Sequence, residues 1–147
     1  ADERDLVDAY LDGGGSLLVS GAEIGWELDN LGDVDQQGFY SDALHASYVG
    51  DDAGTYTAVS RPGGLFDEVV EFGFFTPGTM DVAYPDIIAP TGGALVELDY
   101  WGGNSGAAAI SYSGVYKLVH LGFPLESVDA LEDRAVLLDA SLEFFGL

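Results

Sequence analysis

The chain of 147 residues contains no cysteine, which removes disulfides, thiolate zinc sites and cysteine nucleophiles together and leaves its redox compartment open. Basic residues are nearly as scarce: three Arg and one Lys stand against 26 acidic residues, a formal net charge of −22. Such a surface repels phosphate and argues against nucleic-acid or anionic-membrane partners. No apolar run approaches the length of a membrane span, and "ADERDLVDAY" has none of the layout of a signal peptide, so an export signal would lie outside this sequence. Histidine occurs only twice, and a zinc site would need His45, His120 and carboxylates to converge, which their spacing does not require.

What the chain does have is apolar and aromatic substance. Hydrophobic residues make up 48% of it, with eight Tyr, eight Phe and two Trp, so it folds despite a charge otherwise typical of disorder. Its length suits a single domain over residues 1–147, without internal repeat or linker, though it is also compatible with a fragment of a longer chain. An Asp-rich, Lys-poor surface suits a saline medium, where salt screens the repulsion.

Periodicity predicts alternating helices and strands. "ADERDLVDAYLDGGG" places Leu6, Val7, Tyr10 and Leu11 on one helical face, and "SLLVS" reads as a strand buried on both faces. "DVDQQGFYSDALHASY" predicts a second helix starting at Asp33 or Asp35, with Phe39, Ala43 and Leu44 inward. "TYTAVS" alternates as a strand, "LFDEVVEFGFF" suits a strand or a short helix, and Pro77, Pro85 and Pro90 keep "DVAYPDIIAP" and its approach out of helix. "ALVELDYW", "GAAAISYSG" and "VYKLVHLGF" follow as three strands, the last two joined by a hairpin. The closing helix spaces Val128, Leu131, Ala135, Leu138, Leu142 and Phe145 three or four apart, with Asp129 and Glu132 as a capping pair.

One local pattern carries chemistry. In Gly21-Ala22-Glu23-Ile24-Gly25, a buried strand breaks at a glycine, presents one polar side chain and passes a second glycine, the layout by which α/β hydrolases expose a nucleophile. The presented residue is Glu23, which in that place is a general base, a metal ligand, an acid bonded to Glu126, or simply a cap on the following turn. Trp26 beside it reads as cleft wall or core, with a ligand platform as the alternative.

The runs "GGGSLLVSGAEIGWEL", "FYSDALHASYVGDDAG", "YPDIIAP" and "YKLVHLGFPLE" resemble the glutamine amidotransferase-like (class I, flavodoxin-like) domains of large secreted bacterial and archaeal proteins. The resemblance implies an α/β three-layer fold with a mostly parallel sheet and an antiparallel C-terminal hairpin, and an extracellular or cell-surface location. It also implies lost chemistry. In that family the elbow is Gly-x-Cys-x-Gly and a later His-Pro-Glu supplies base and acid; here Glu23 takes the place of the thiol, Glu126 that of the acid, and Pro124 falls on the base. A carboxylate cannot replace a Cys–His pair in glutamine hydrolysis, so amidotransferase activity does not carry over. The family's extra strand before the elbow strand is also missing, which predicts that the edge of "SLLVS" is covered by sequence beyond this chain, by a strand from the middle region, or by a second copy forming a homodimer.

Three further patterns are less specific. "GGNSGA" nearly matches Gly-x-Ser-x-Gly, so Ser105 with His120 and an Asp outlines a triad, although Gly-Asn-Ser-Gly is also a common turn and His120 lies in an apolar alternation. Asp29, Asp33 and Asp35 have the composition of a calcium loop without the EF-hand ligand order, and Asp51 and Asp52 form a second acidic loop. Weak divalent cation binding is the most that either loop suggests, and no other cofactor is indicated.

Together these features predict a non-catalytic accessory or interaction module of an exported, salt-adapted protein, contacting neighbouring domains or a second copy. The alternative is a hydrolase using Glu23 with Glu126, with or without a divalent metal.

Overall fold

A computed structural model describes residues 3–75 and 82–147, so Pro77 lies outside the described residues. Helix α1 (Glu3–Asp12) leads into β1 (Ser16–Ser20). A helical segment over 24–30, whose last five residues (Trp26–Asn30) are π-helical, is followed by α2 (Val34–Gly38), which continues as a second π-helical turn, Phe39–Ala43. Seven strands follow: β2 (Ala46–Gly50), β3 (Thr57–Ser60), β4 (Glu71–Gly73), β5 (Ile87–Pro90), β6 (Leu95–Tyr100), β7 (Ala107–Ser113) and β8 (Lys117–Leu121). A 3₁₀ turn (Leu125–Ser127) and α3 (Leu131–Phe145) close the chain.

The eight strands form one mixed, curled sheet in the order β1-β8-β7-β6-β3-β4, with β5 joining β7 and β2 joining β5. Only β1 and β8 are parallel, with Leu18 opposite Val119, and the other six pairings are antiparallel. This corrects the expectation of a mostly parallel, flavodoxin-like, amidotransferase-like sheet. The reason is in the connections. Parallel neighbours need crossovers of about a dozen residues or more, usually helical, whereas no helix occurs between β2 and β8 among the described residues. Short links such as Trp101–Gly106 and Gly114–Tyr116 return the chain antiparallel.

Two cores lie on opposite faces of the sheet. One gathers Phe66, Phe72, Phe74, Leu98, Val119, Phe123 and Leu137, with Leu18 and α3 packed against it; the other gathers Tyr40, Leu44, Ile88, Ile110 and Leu118, with Leu17 and Val19. β1 therefore has both faces covered, as its apolar sequence predicts, but it is the last strand of the sheet and is only half-buried.

Two helices turn differently from expectation. In α1 only Leu11 is buried, while Leu6 and Tyr10 are exposed. In α3 the buried residues are Leu137 and Ser141, whereas Leu131, Leu138 and Leu142 face outward. The apolar residues of α3 are spread around the helix rather than gathered in one stripe, so spacing does not select its inner face. Nor does Asp129 cap it: the N-cap is Ala130, with no side-chain cap bond, and the Asp129 amide donates instead to the Gly73 carbonyl. The second helix does begin behind Asp33, whose carboxylate accepts from the Gln36 amide in a reciprocal capping box, but it ends at Ala43, and residues 46–48, expected within it, open β2.

Candidate functional site

The elbow forms where β1 ends. Its backbone turns at Glu23, which has φ 69°, and enters the helical segment 24–30. A left-handed φ is costly for a residue with a side chain and persists only where the surroundings impose it. Here the imposing group is Asp86, from the other end of the chain's middle region. Its Oδ2 accepts the Gly25 amide at 2.7 Å, its own amide donates to the Gly122 carbonyl, and its carbonyl accepts the Tyr100 hydroxyl. Asp86 thus ties the elbow to the ends of β6 and β8. Gly25 must be glycine, because a Cβ there would stand 2.7 Å from the Tyr40 hydroxyl and 3.2 Å from Asp86 Oδ2.

Electrostatics make this corner acidic. Burial, followed by the nearby Glu23 and Asp51, pushes the Asp86 carboxyl up to about 7 against the opposing pull of the Gly25 amide. Burial and Asp51 raise Glu23, and burial with Asp51, Asp86 and Glu23 pushes the Tyr48 hydroxyl up to about 12. Glu23 Oε1, Asp86 Oδ1 and the Tyr40 hydroxyl are buried atoms without a hydrogen-bond partner.

Beside the elbow is an open cleft of about 490 Å³, lined by residues 20–23, 82–84, Pro124 and Glu126. The two glutamates singled out in the sequence therefore face one space, and no Lys or Arg lines it. Glu126 is the exposed residue of the 3₁₀ turn after β8. Tyr84, exposed and with φ 59°, also lines the cleft. Trp26 lies just behind the elbow, edge-on to Tyr48 with ring centroids 6.0 Å apart.

The remaining candidates are dispersed. His120 is 1% exposed within β8, edge-on to Tyr40, and burial depresses its imidazole to about 4. Ser105 is exposed in the β6–β7 loop. Since His120 pairs with Ile110, Ser105 is displaced along the strand by roughly 15 Å, and the pair makes no triad. Asp29 Oδ2 accepts the Tyr48 amide, Asp33 caps α2 and Asp35 lies in its exposed first turn. Among the described residues no three His, Asp or Glu side chains gather as a metal-holding group. His45 stacks on Tyr112 at 3.6 Å, whereas His120 lies edge-on to Tyr40.

Asp86 and Tyr84 were not identified as site residues from sequence. The signal available was an acid in an otherwise apolar run, "DIIAP", but nothing local says that it reaches an amide 61 residues away.

Fold and site together define a mixed α/β domain with an acidic cleft at the carboxyl end of a sheet-edge strand. No family model and no curated protein matches the chain. Among solved structures it is similar to the mmIFT52 N-terminal domain, with a TM-score of 0.63 and 15% identity over 99% of this chain and 71% of that one. At that identity the likeness shows the fold alone. With the mixed sheet, it replaces the expected amidotransferase-like, flavodoxin-like assignment. No helix of the described residues is long and apolar enough to cross a membrane.

Proposed function

We propose that the domain is a non-catalytic interaction module working in a saline medium, and that its elbow cleft receives a cationic side chain, lysine or arginine, from a partner protein or a neighbouring domain. The observation that carries this is that Glu23 and Glu126 line one open cleft, with no Lys or Arg among its described lining residues. A partly desolvated carboxylate with an unpartnered oxygen favours a cation that can donate to it. The net charge of −22 speeds encounter with a basic partner and opposes a second copy.

Calorimetric titration with an extended peptide of alternating valine and lysine tests this. Glu23→Gln and Glu126→Gln are each expected to weaken binding about tenfold, with an affinity that falls as salt rises. Unchanged binding in both variants overturns the cleft reading. The strained φ of Glu23 and its raised carboxyl favour a second reading, hydrolysis with Glu23 as base and Glu126 as acid. A hydrolase screen, with and without divalent metal, decides between them: turnover lost in Glu23→Gln removes the non-catalytic reading.

A further inference from the structure

We propose that the open edge of β1 is a strand-addition site for an extended, basic segment of a partner protein, whose lysine or arginine then enters the cleft. The inference rests on the cleft reading above and adds the mode of binding.

The backbone geometry identifies the free groups. The Lys117 amide donates to the Gly15 carbonyl, and the Gly21 amide to the Leu121 carbonyl. Alternate residues of a parallel ladder address the same neighbour, so 15, 17, 19 and 21 face β8, while Ser16, Leu18 and Ser20 turn their amides and carbonyls away from it. Ser16 is already occupied: the Tyr10 hydroxyl accepts its amide and donates to its carbonyl, both at 3.1 Å. Leu18 and Ser20 have no such partner among the described residues.

The sheet's other outer strands also have edge groups occupied by their own chain. On β4 the Gly73 carbonyl takes the Asp129 amide, and on β2 the Tyr48 amide goes to Asp29. Unpaired edges are normally blocked in this way, so an edge left open beside an acidic cleft suits pairing with another chain. Both faces of β1 are already packed, so an added strand meets backbone without disturbing either core.

Charge and continuity select the occupant. The cleft starts at Ser20, where the open edge ends, so a strand running past Leu18 and Ser20 next reaches Glu23 and Glu126. A second copy would bring another −22 to the same place, whereas a basic strand neutralises it.

The test uses the valine–lysine peptide and the same peptide N-methylated on alternate residues, which keeps its charge but loses pairing donors. Against the wild-type protein, N-methylation is expected to weaken binding about tenfold or more. Leu18→Pro is expected to do the same with the unmodified peptide, since proline is tolerated on an edge where the amide faces outward. Tyr10→Phe, which frees Ser16, is expected to strengthen binding about twofold, a direction that loss of stability does not produce. If the N-methylated peptide binds as well as the unmodified one but Glu23→Gln abolishes binding, strand addition falls and the cleft reading stands. If neither peptide binds, both fall. A wild-type dimer in light scattering that becomes monomeric in Leu18→Pro makes the occupant a second copy and overturns the proposal; should Leu18→Pro not fold, the N-methylated peptide decides.

Discussion

Asp86 and His120 are buried titratable groups with opposite effects on stability. The Asp86 carboxyl rises from 3.8 to about 7, so the folded protein keeps a proton that the unfolded chain releases, and stability falls as pH rises through that window. The His120 imidazole drops from 6.5 to about 4, so the unfolded chain takes up a proton that the folded one refuses, and stability is lost as pH falls from 6.5 to 4. Between pH 4 and 6.5 the two slopes oppose each other. Asp86→Asn retains an oxygen for the Gly25 amide and removes one of them. The stability of the variant minus that of wild type should therefore climb from pH 4 to 7, by roughly 1.4 kcal/mol per unit at most, as read from urea midpoints at each pH. A level difference would mean that Asp86 ionises freely in the folded protein.

At the scale of elements, the elbow and α2 provide a matched pair of glycines. A Cβ on Gly25 would press on the Tyr40 hydroxyl, the Tyr48 ring and Asp86 at 2.7, 3.1 and 3.2 Å. Gly25→Ala should destabilise by about 1–3 kcal/mol, the cost of overpacking, and should loosen the Asp86 bond that holds Glu23 in place. Gly38 has ordinary helical angles and nothing within 4 Å of its Cβ position. Gly38→Ala should therefore stabilise by about 0.5–1 kcal/mol, the difference in helix propensity. Thermal melts of the two variants should move in opposite directions. A gain in stability for Gly25→Ala would show that the elbow is looser than its packing implies.

For the whole molecule, charge dominates. Four basic residues cannot offset 26 acidic ones, and the bidentate Arg61–Asp99 pair at 2.7 and 2.9 Å is half in solvent. Screening should relieve the repulsion, so the melting temperature should climb steadily from low to molar NaCl. A flat or falling curve would remove the case for a saline setting. The same salt that stabilises the fold should weaken a basic partner's binding, which separates the two effects in one titration series.

Much of the local structure was legible in the sequence because its causes are local. Asp33, one of the two residues offered as the start of the second helix, caps α2; the apolar runs over β1 and β6–β8 mark strands; and the break of the apolar run at Gly21 marks the end of β1. Charge, too, is simply counted. Pairing was not legible. Whether β1 neighbours one strand or two, and whether those strands run parallel, depends on contacts such as Leu18 with Val119, about a hundred residues apart, and on the lack of helical crossovers between β2 and β8. The inner face of α3 was hidden because its apolar residues form no single stripe, and Asp86 by the 61 residues separating it from the amide it holds. Hydrogen bonds of that kind form only once the sheet has brought their ends together. The sequence by itself therefore determined the first and last helices, the strands marked by apolar runs and the sign of the surface, while only the tertiary structure decided where the second helix yields to β2, the mixed sheet, the edge position of β1 and the cleft that Glu23 and Glu126 both line, because these are set by long-range packing rather than by neighbours in the chain.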